Sequence, residues 1–179
     1  TGKHLRPFSI KKILLLSSSY DYFLLEEEGR IEKLFQHIYP KDLPLQPPEI
    51  THVESSQEAK RYLDNDQFDL LIIFNEPQDT NLLFLTNSIK DLHPDLPVVY
   101  LANHTAQLKK LIEKDNYETI DRAFTWNGDG SILLTIIQLF EDQTNIQSNP
   151  SAENKEIILL IEDDIQYYSS YLLLIYEEL

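Results

Sequence analysis

Three consecutive hydroxyls, Ser17-Ser18-Ser19, follow the strand-like run Lys12-Ile13-Leu14-Leu15-Leu16, apolar after its lysine. Hydroxyls placed where a strand gives way to a helix can cap that helix, or hold an anion against its amino terminus. Glu162-Asp163, with Asp164 beside them, stand in the same relation to the run Ile157–Ile161, and paired carboxylates in that setting suit a hard dication such as Mg²⁺. Further acids, Asp21, Glu76 and Asp79, fall after apolar runs in stretches that read as loops. The five histidines, His4, His37, His52, His93 and His104, show no i,i+4 pair and no HExxH pattern, so metal ligation by histidine is not expected. The absence of cysteine excludes a thiolate nucleophile, a disulfide and any Cys-ligated zinc or iron–sulfur centre.

These groups need elements to position them. Short apolar runs alternate with stretches of helical periodicity, the pattern of a parallel sheet covered by helices on both faces. Strands are expected at Lys12–Leu16, Ile50–Glu54, Phe68–Phe74, Pro97–Ala102 and Ala123–Trp126. Phe68–Phe74 reads as the most central, because it is apolar on both faces. Between them the spacing predicts one helix carrying Phe23, Leu24, Ile31, Leu34, Phe35 and Ile38, weakened at Gly29, then a proline-rich loop over Tyr39–Pro48. A second helix runs to Leu63 behind the capping-box pair Ser55 and Glu58. Leu82–Leu92 is a third, Leu108, Leu111 and Ile112 mark a fourth, and Ser131 opens a fifth through Ile132, Leu133, Ile136, Ile137 and Phe140. The fold class is therefore α/β, a doubly wound five-stranded parallel sheet.

The organisation expected is one domain over residues 1–146, a polar linker over 147–155, and a tail over 156–179 that reads as the first strand and helix of a second, truncated unit. One strand and one helix cannot bury a core, so Ile157–Ile161 is expected to seek a partner sheet, by pairing or swapping between copies. Fifteen Lys+Arg against thirty Asp+Glu, a formal charge of -15, set a field that repels phosphate backbones and anionic lipid, so neither nucleic acid nor membrane is an expected partner. Apolar runs fall far short of the roughly 20 residues of a membrane span. The opening Thr1-Gly2 shows no signal peptide, which makes the cytoplasm the expected compartment.

Five βα repeats of this size, with Lys12–Leu16 first, Phe68–Ile73 third and Leu96–Leu101 fourth, resemble the receiver domain of bacterial response regulators over about Ile10 to Thr144. The resemblance implies the flavodoxin-like strand order 2-1-3-4-5 and a set of site positions at the carboxyl ends of the strands. The acidic metal-binding pair falls on Ser17 and Ser18. The phosphate-accepting aspartate falls on Phe74, or with a one-residue slip on Asn75. The hydroxyl position falls on Ala102 and the lysine on Thr125, with Trp126 where a proline commonly follows. Four lost positions imply a pseudo-receiver: no metal and no cofactor in this domain, no catalysis, and an output made by contact. The corresponding contact face runs from Tyr100 to Phe140, with Tyr100 and Trp126 as its expected partner surface and a buried packing role as the equal alternative for Trp126. Glu162 and Asp163 keep the acidic pair, so the complete second unit would bind Mg²⁺. Two other readings stand beside this one: a phospho-accepting receiver that uses Asp21, Glu76 or Asp79, and a small-ligand binder holding an anion or nucleotide on Ser17 and Ser19.

A narrower resemblance lies in Ile13–Asp21, Glu26–Ile31, Phe124-Thr125-Trp126-Asn127-Gly128, Ile136-Ile137 with Glu141-Asp142, and Tyr168-Ser169-Ser170-Tyr171. These strings are similar to the amino-terminal region of large bacterial proteins in which tandem receiver-like domains precede a phosphoenolpyruvate synthase or pyruvate phosphate dikinase-like catalytic part. The resemblance implies a regulatory region whose partners are neighbouring domains of the same polypeptide or a second copy. None of that enzyme's ATP-binding or phosphohistidine motifs occurs here.

Overall fold

The structure is a computed structural model of the 179-residue chain and describes residues 8–27, 31–38, 46–113, 118–126, 128–148, 160, 162 and 165–178. The elements run β1 (Lys12–Leu16), α1 (Ser19–Glu27), α2 (Ile31–Ile38), β2 (Glu49–Val53), α3 (Ser56–Asn65), β3 (Leu70–Phe74), α4 (Leu82–Leu92), β4 (Val98–Ala102), α5 (Thr105–Glu113), β5 (Arg122–Thr125), α6 (Ser131–Ser148) and α7 (Ile165–Glu178). All strand pairings are parallel, in the order β2-β1-β3-β4-β5. The expected fold class and strand order are both present.

Alternation along the strands divides the core in two. Ile13, Leu15, Leu70, Ile72, Phe74, Val99, Leu101 and Phe124 face α1, α2, α6 and α7. Leu14, Leu16, Leu71, Ile73, Val98, Tyr100 and Ala102 face α3, α4 and Leu108 of α5. Successive residues of a strand point to opposite faces, so a strand covered on both sides must be apolar throughout. This is the reason β3 and β4 are buried at every position.

Local chemistry sets several boundaries. Ser55 caps the start of α3 by accepting the Glu58 N–H at 3.2 Å, half of the expected capping box, while the Glu58 carboxylate reaches one residue past the cap and accepts the Glu54 N–H at 3.1 Å. Asn81 caps α4 by accepting the Leu83 N–H at 2.9 Å. Of the single helix expected across Phe23–Ile38, α1 and α2 are described, and Gly29 lies outside the described residues. Helix α6 continues through Gln147 and Ser148, which the sequence placed in the linker; the remainder, 149–155, lies outside the described residues.

The tail does not stand apart. Leu172 and Leu173 of α7 are buried in the same core as Phe124 and Ile136, and Leu160 is packed against it. The Tyr176 hydroxyl donates to the Asp142 carboxylate on α6 at 2.8 Å.

One acid on α6 reports on the amino-terminal segment. The Glu141 carboxylate accepts the Ile10 N–H at 2.7 Å. Burial pushes its pKa above the ordinary glutamate value, and neighbouring Asp142 adds to the rise, while the Ile10 bond opposes it. The folded state thus holds this proton more tightly than the unfolded chain does. The group's contribution to stability therefore declines as pH rises from the ordinary glutamate range through the raised folded value. Glu141→Gln keeps an acceptor for Ile10 and removes the charge, so it should melt above the parent at pH 7. Melting curves at pH 7 and pH 4 check this: the advantage should vanish at the acid end, and an equal difference at both pH values would reject the assignment.

Candidate functional site

The carboxyl ends of the strands converge beside the β1/β3 junction, where the chain order reverses and ligands of open α/β sheets bind. Ser17 is buried there. Its hydroxyl lies 3.1 Å from His52 Nε2 and also 3.1 Å from the Ser18 carbonyl, to which it can donate. His52 is brought in by the register of β2 on β1, which sets Leu15 opposite it. The Tyr22 ring of α1 stacks on the imidazole, with centroids 4.1 Å apart and planes 4° from parallel. Burial raises the Tyr22 phenol to about 12, and the Glu26 carboxylate, as hydrogen-bond partner and charge, adds to it.

Ser18 and Ser19 spend their hydroxyls on carboxylates. Ser18 Oγ donates to Asp21 at 2.7 Å and accepts the Asp21 N–H at 3.1 Å, and Ser19 Oγ donates to Glu54 at 2.6 Å. The place an anion would occupy against α1 is thereby edged with negative charge. The capping role is present, and an anion would have to displace two acids to be bound.

At the end of β3, Phe74 retains 1 % of its exposure, and its ring packs at 5.7 Å, tilted 58°, against Trp126. It is core, not rim. Asn75 follows with φ of 65°, the left-handed conformation that asparagine tolerates better than most residues. Its side-chain carbonyl accepts the Asn103 N–H at 3.1 Å, tying the loop after β3 to the loop after β4. Asn103 in turn donates to Asp21 at 3.4 Å, and its Oδ1 is buried with no hydrogen-bond partner among the described residues. Asn75 was reached by the one-residue slip of the accepting position, whereas nothing in the spacing pointed to His52 or Asn103 as site residues.

The three acids expected in loops do not meet as a cluster, and Asp21 lies in the first turn of α1. Asp21 stays at the junction between Ser18 and Asn103. Asp79 turns to the start of α3, accepting from the Ser56 N–H at 2.9 Å and the Ser56 hydroxyl at 2.6 Å. Glu76 lies near Tyr100, whose phenol is raised to about 12 chiefly by burial and secondarily by that carboxylate. Among the described residues no three His, Asp or Glu side chains are grouped so as to hold a metal ion. Glu162 is described, whereas Asp163 lies outside the described residues.

The expected partner surface needs correction. Tyr100 keeps 2 % of its exposure and Trp126 keeps 9 %, so neither ring presents a contact face. Tyr100 points into the core under α3 and α4, and Trp126 into the core under α1 and α6. Ala102 is fully buried. Thr125 is also buried, and its N–H, on the outer side of edge strand β5, donates to Ser169 Oγ of α7 at 3.2 Å. A strand edge offers unpaired backbone groups, and α7 covers this one.

Comparison with solved structures places this arrangement. A CheY-like response regulator receiver domain protein from Methanospirillum hungatei JF-1 superposes with a TM-score of 0.56 at 13% identity, covering 78% of this chain and 99% of that one. The chain has the receiver fold. The signal receiver domain of an HD domain-containing protein from Pseudomonas fluorescens Pf-5 matches at 0.55 and 20% identity, over 80% of this chain and 96% of that chain. A Francisella response regulator receiver domain matches at 0.54 and 13% identity, over 75% and 98%. No family model and no curated protein matches the sequence. Within the receiver fold, then, the sequence-assigned positions Ser17, Ser18, Phe74, Ala102 and Thr125 lie at the carboxyl ends of β1, β3, β4 and β5, or in the residues just after them. No helix among the described residues is long and apolar enough to cross a membrane.

Proposed function

We propose that this chain is a receiver-like regulatory module that acts through protein contacts and does not accept phosphate. The observation that carries this reading is Phe74, a buried ring at the end of β3 where a phosphate-accepting receiver needs an aspartate. Phosphoryl transfer to a receiver requires a carboxylate nucleophile and a dication to gather the charge of the transferred group. Ser17 and Ser18 bring no charge, and Thr125 brings no cation to pair with a phosphoryl oxygen. The finer setting, upstream of a phosphoenolpyruvate synthase or pyruvate phosphate dikinase-like catalytic part in a cytoplasmic protein, is supported by the sequence strings around Ser17, Trp126 and Tyr168. In that setting the module's partners are neighbouring domains of the same polypeptide or a second copy, and the chain itself is not an enzyme.

Incubation with acetyl phosphate and Mg²⁺, read by intact mass, tests the reading. The expected mass is unchanged. A stable adduct of one phosphoryl group overturns it, and loss of that adduct in Asp21→Asn would transfer the function to a rearranged receiver. Asp21 is the acid to replace because it alone of the three loop carboxylates sits at the junction, held by Ser18 and Asn103.

A further inference from the structure

Helix α7 is apolar nearly all round, with Tyr167, Tyr168, Tyr171, Leu172, Leu173, Leu174, Ile175 and Tyr176 in one short stretch. A helix of this kind is ordinarily covered on every side. Only one side is covered here. Ser169, Leu172 and Leu173 are buried against β5 and α6, with Tyr168 and Tyr176 packed beside them. Tyr167, Tyr171 and Leu174, spaced i, i+4 and i+7, keep 56 %, 43 % and 57 % of their exposure, and the two tyrosine rings stack on each other at 6.1 Å.

The internal repeat says which face is which. Laying Ile158-Leu159-Leu160-Ile161-Glu162 on Ile13-Leu14-Leu15-Leu16-Ser17 sets Tyr167 on Tyr22, Ser170 on Leu25 and Tyr168 on Phe23. In α1, Leu25 is fully buried and Tyr22 packs on the sheet, while Phe23 is exposed. In α7 the pattern is inverted: Tyr167 and Ser170 are exposed, and Tyr168 is packed against Phe124. Helix α7 therefore lies on β5 with the face that α1 turns to solvent, and leaves open the face that α1 turns to its own sheet.

We propose that α7 is shared between two receiver-like sheets, its inner face sealing the β5 edge and its Tyr167–Tyr171–Leu174 face docking the sheet of a second receiver-like unit, the one that the run Ile157–Ile161 begins in sequence. This rests on the contact-module reading only for its biological setting, since the geometry is indifferent to whether the rim takes phosphate. A shared helix makes a short joint: any shift of the second sheet that moves α7 acts directly on the hydrogen bond between Ser169 and the Thr125 N–H, at the end of β5.

Tetranitromethane labelling read by peptide mass spectrometry tests it, on the 179-residue chain and on the complete product of the reading frame that encodes it. Tyr20, 69 % exposed on α1, is the internal standard. Tyr167 and Tyr171 should nitrate like Tyr20 in the 179-residue chain and lose most of their reaction, relative to Tyr20, in the complete product. Leu174→Arg should leave the melting of the 179-residue chain unchanged and restore labelling of Tyr171 in the complete product. Equal labelling in both proteins overturns the proposal, as does a reading frame that ends at Leu179. Protection already present in the 179-residue chain together with a dimeric mass also overturns it, because a second copy would then own the face. A phosphoryl adduct would remove the contact-only function and leave this labelling pattern untouched, so the two failures are distinguishable.

Discussion

Phe74→Asp is expected to unfold the chain rather than to rebuild a phosphate acceptor. Removing a buried phenylalanine ring costs about 3–5 kcal/mol. Placing an unpaired carboxylate in the space left against Trp126 adds several kcal/mol more, against a total stability of about 5–15 kcal/mol for a domain. No cation waits at the end of β5 to offset the charge, because Thr125 is there and its N–H is committed to Ser169. Phe74→Leu, which keeps an apolar side chain with a modest loss of volume, should cost far less and remain folded. Thermal melts by circular dichroism, with acetyl phosphate labelling of whatever remains soluble, decide the matter. A cooperative Phe74→Asp melt near that of the parent, with a phosphoryl adduct on the new aspartate, would show that the strand end can turn its side chain out to the rim and that the receiver chemistry is one substitution away.

The second large effect is expected at the opposite edge of the sheet. Leu173→Asp puts a charge into the contact of α7 with the core and should release the helix, at a cost of about 3–5 kcal/mol for the lost burial and the desolvated acid together. Release uncovers the outer side of β5, whose backbone groups can then pair with another chain, so self-association should accompany the lower melting point. The milder Ser169→Ala removes the acceptor of the Thr125 N–H and should cost about 1–3 kcal/mol, the usual penalty for a buried donor left unpaired. Amide exchange at Thr125, with sedimentation of the Leu173→Asp variant, checks both substitutions. A Thr125 amide that stays protected in Leu173→Asp, in a monomer melting like the parent, would mean that α7 contributes nothing to this edge.

Much of the fold could be read before any coordinates. The apolar runs that became β1, β3 and β4 are long enough, and the helical spacing between them regular enough, that a covered parallel sheet is the one arrangement able to bury both. The cap that Ser55 makes to the Glu58 N–H was legible because both partners lie within one turn of each other. The positions that the receiver resemblance implies, Ser17, Phe74, Ala102 and Thr125, fall at the carboxyl ends of β1, β3, β4 and β5 or just after them.

Orientation was another matter. Trp126 and Tyr100 looked like contact residues because aromatic side chains near a strand end can point either to the rim or beneath it, and only the coverage on each side decides. Both point beneath. The tail read as an orphan, and in the structure it shares the core of the first unit.

The amino-acid sequence by itself determined the α/β class and the five strands with their order along the chain, because these depend on local periodicity. The tertiary structure alone decided that His52 meets Ser17, that Asn75 and Asn103 brace two loops, and that α7 takes the β5 edge with its Ser169 hydroxyl. Those contacts join segments distant in the chain, and they exist only because strand register and helix packing bring them together, which no local pattern specifies.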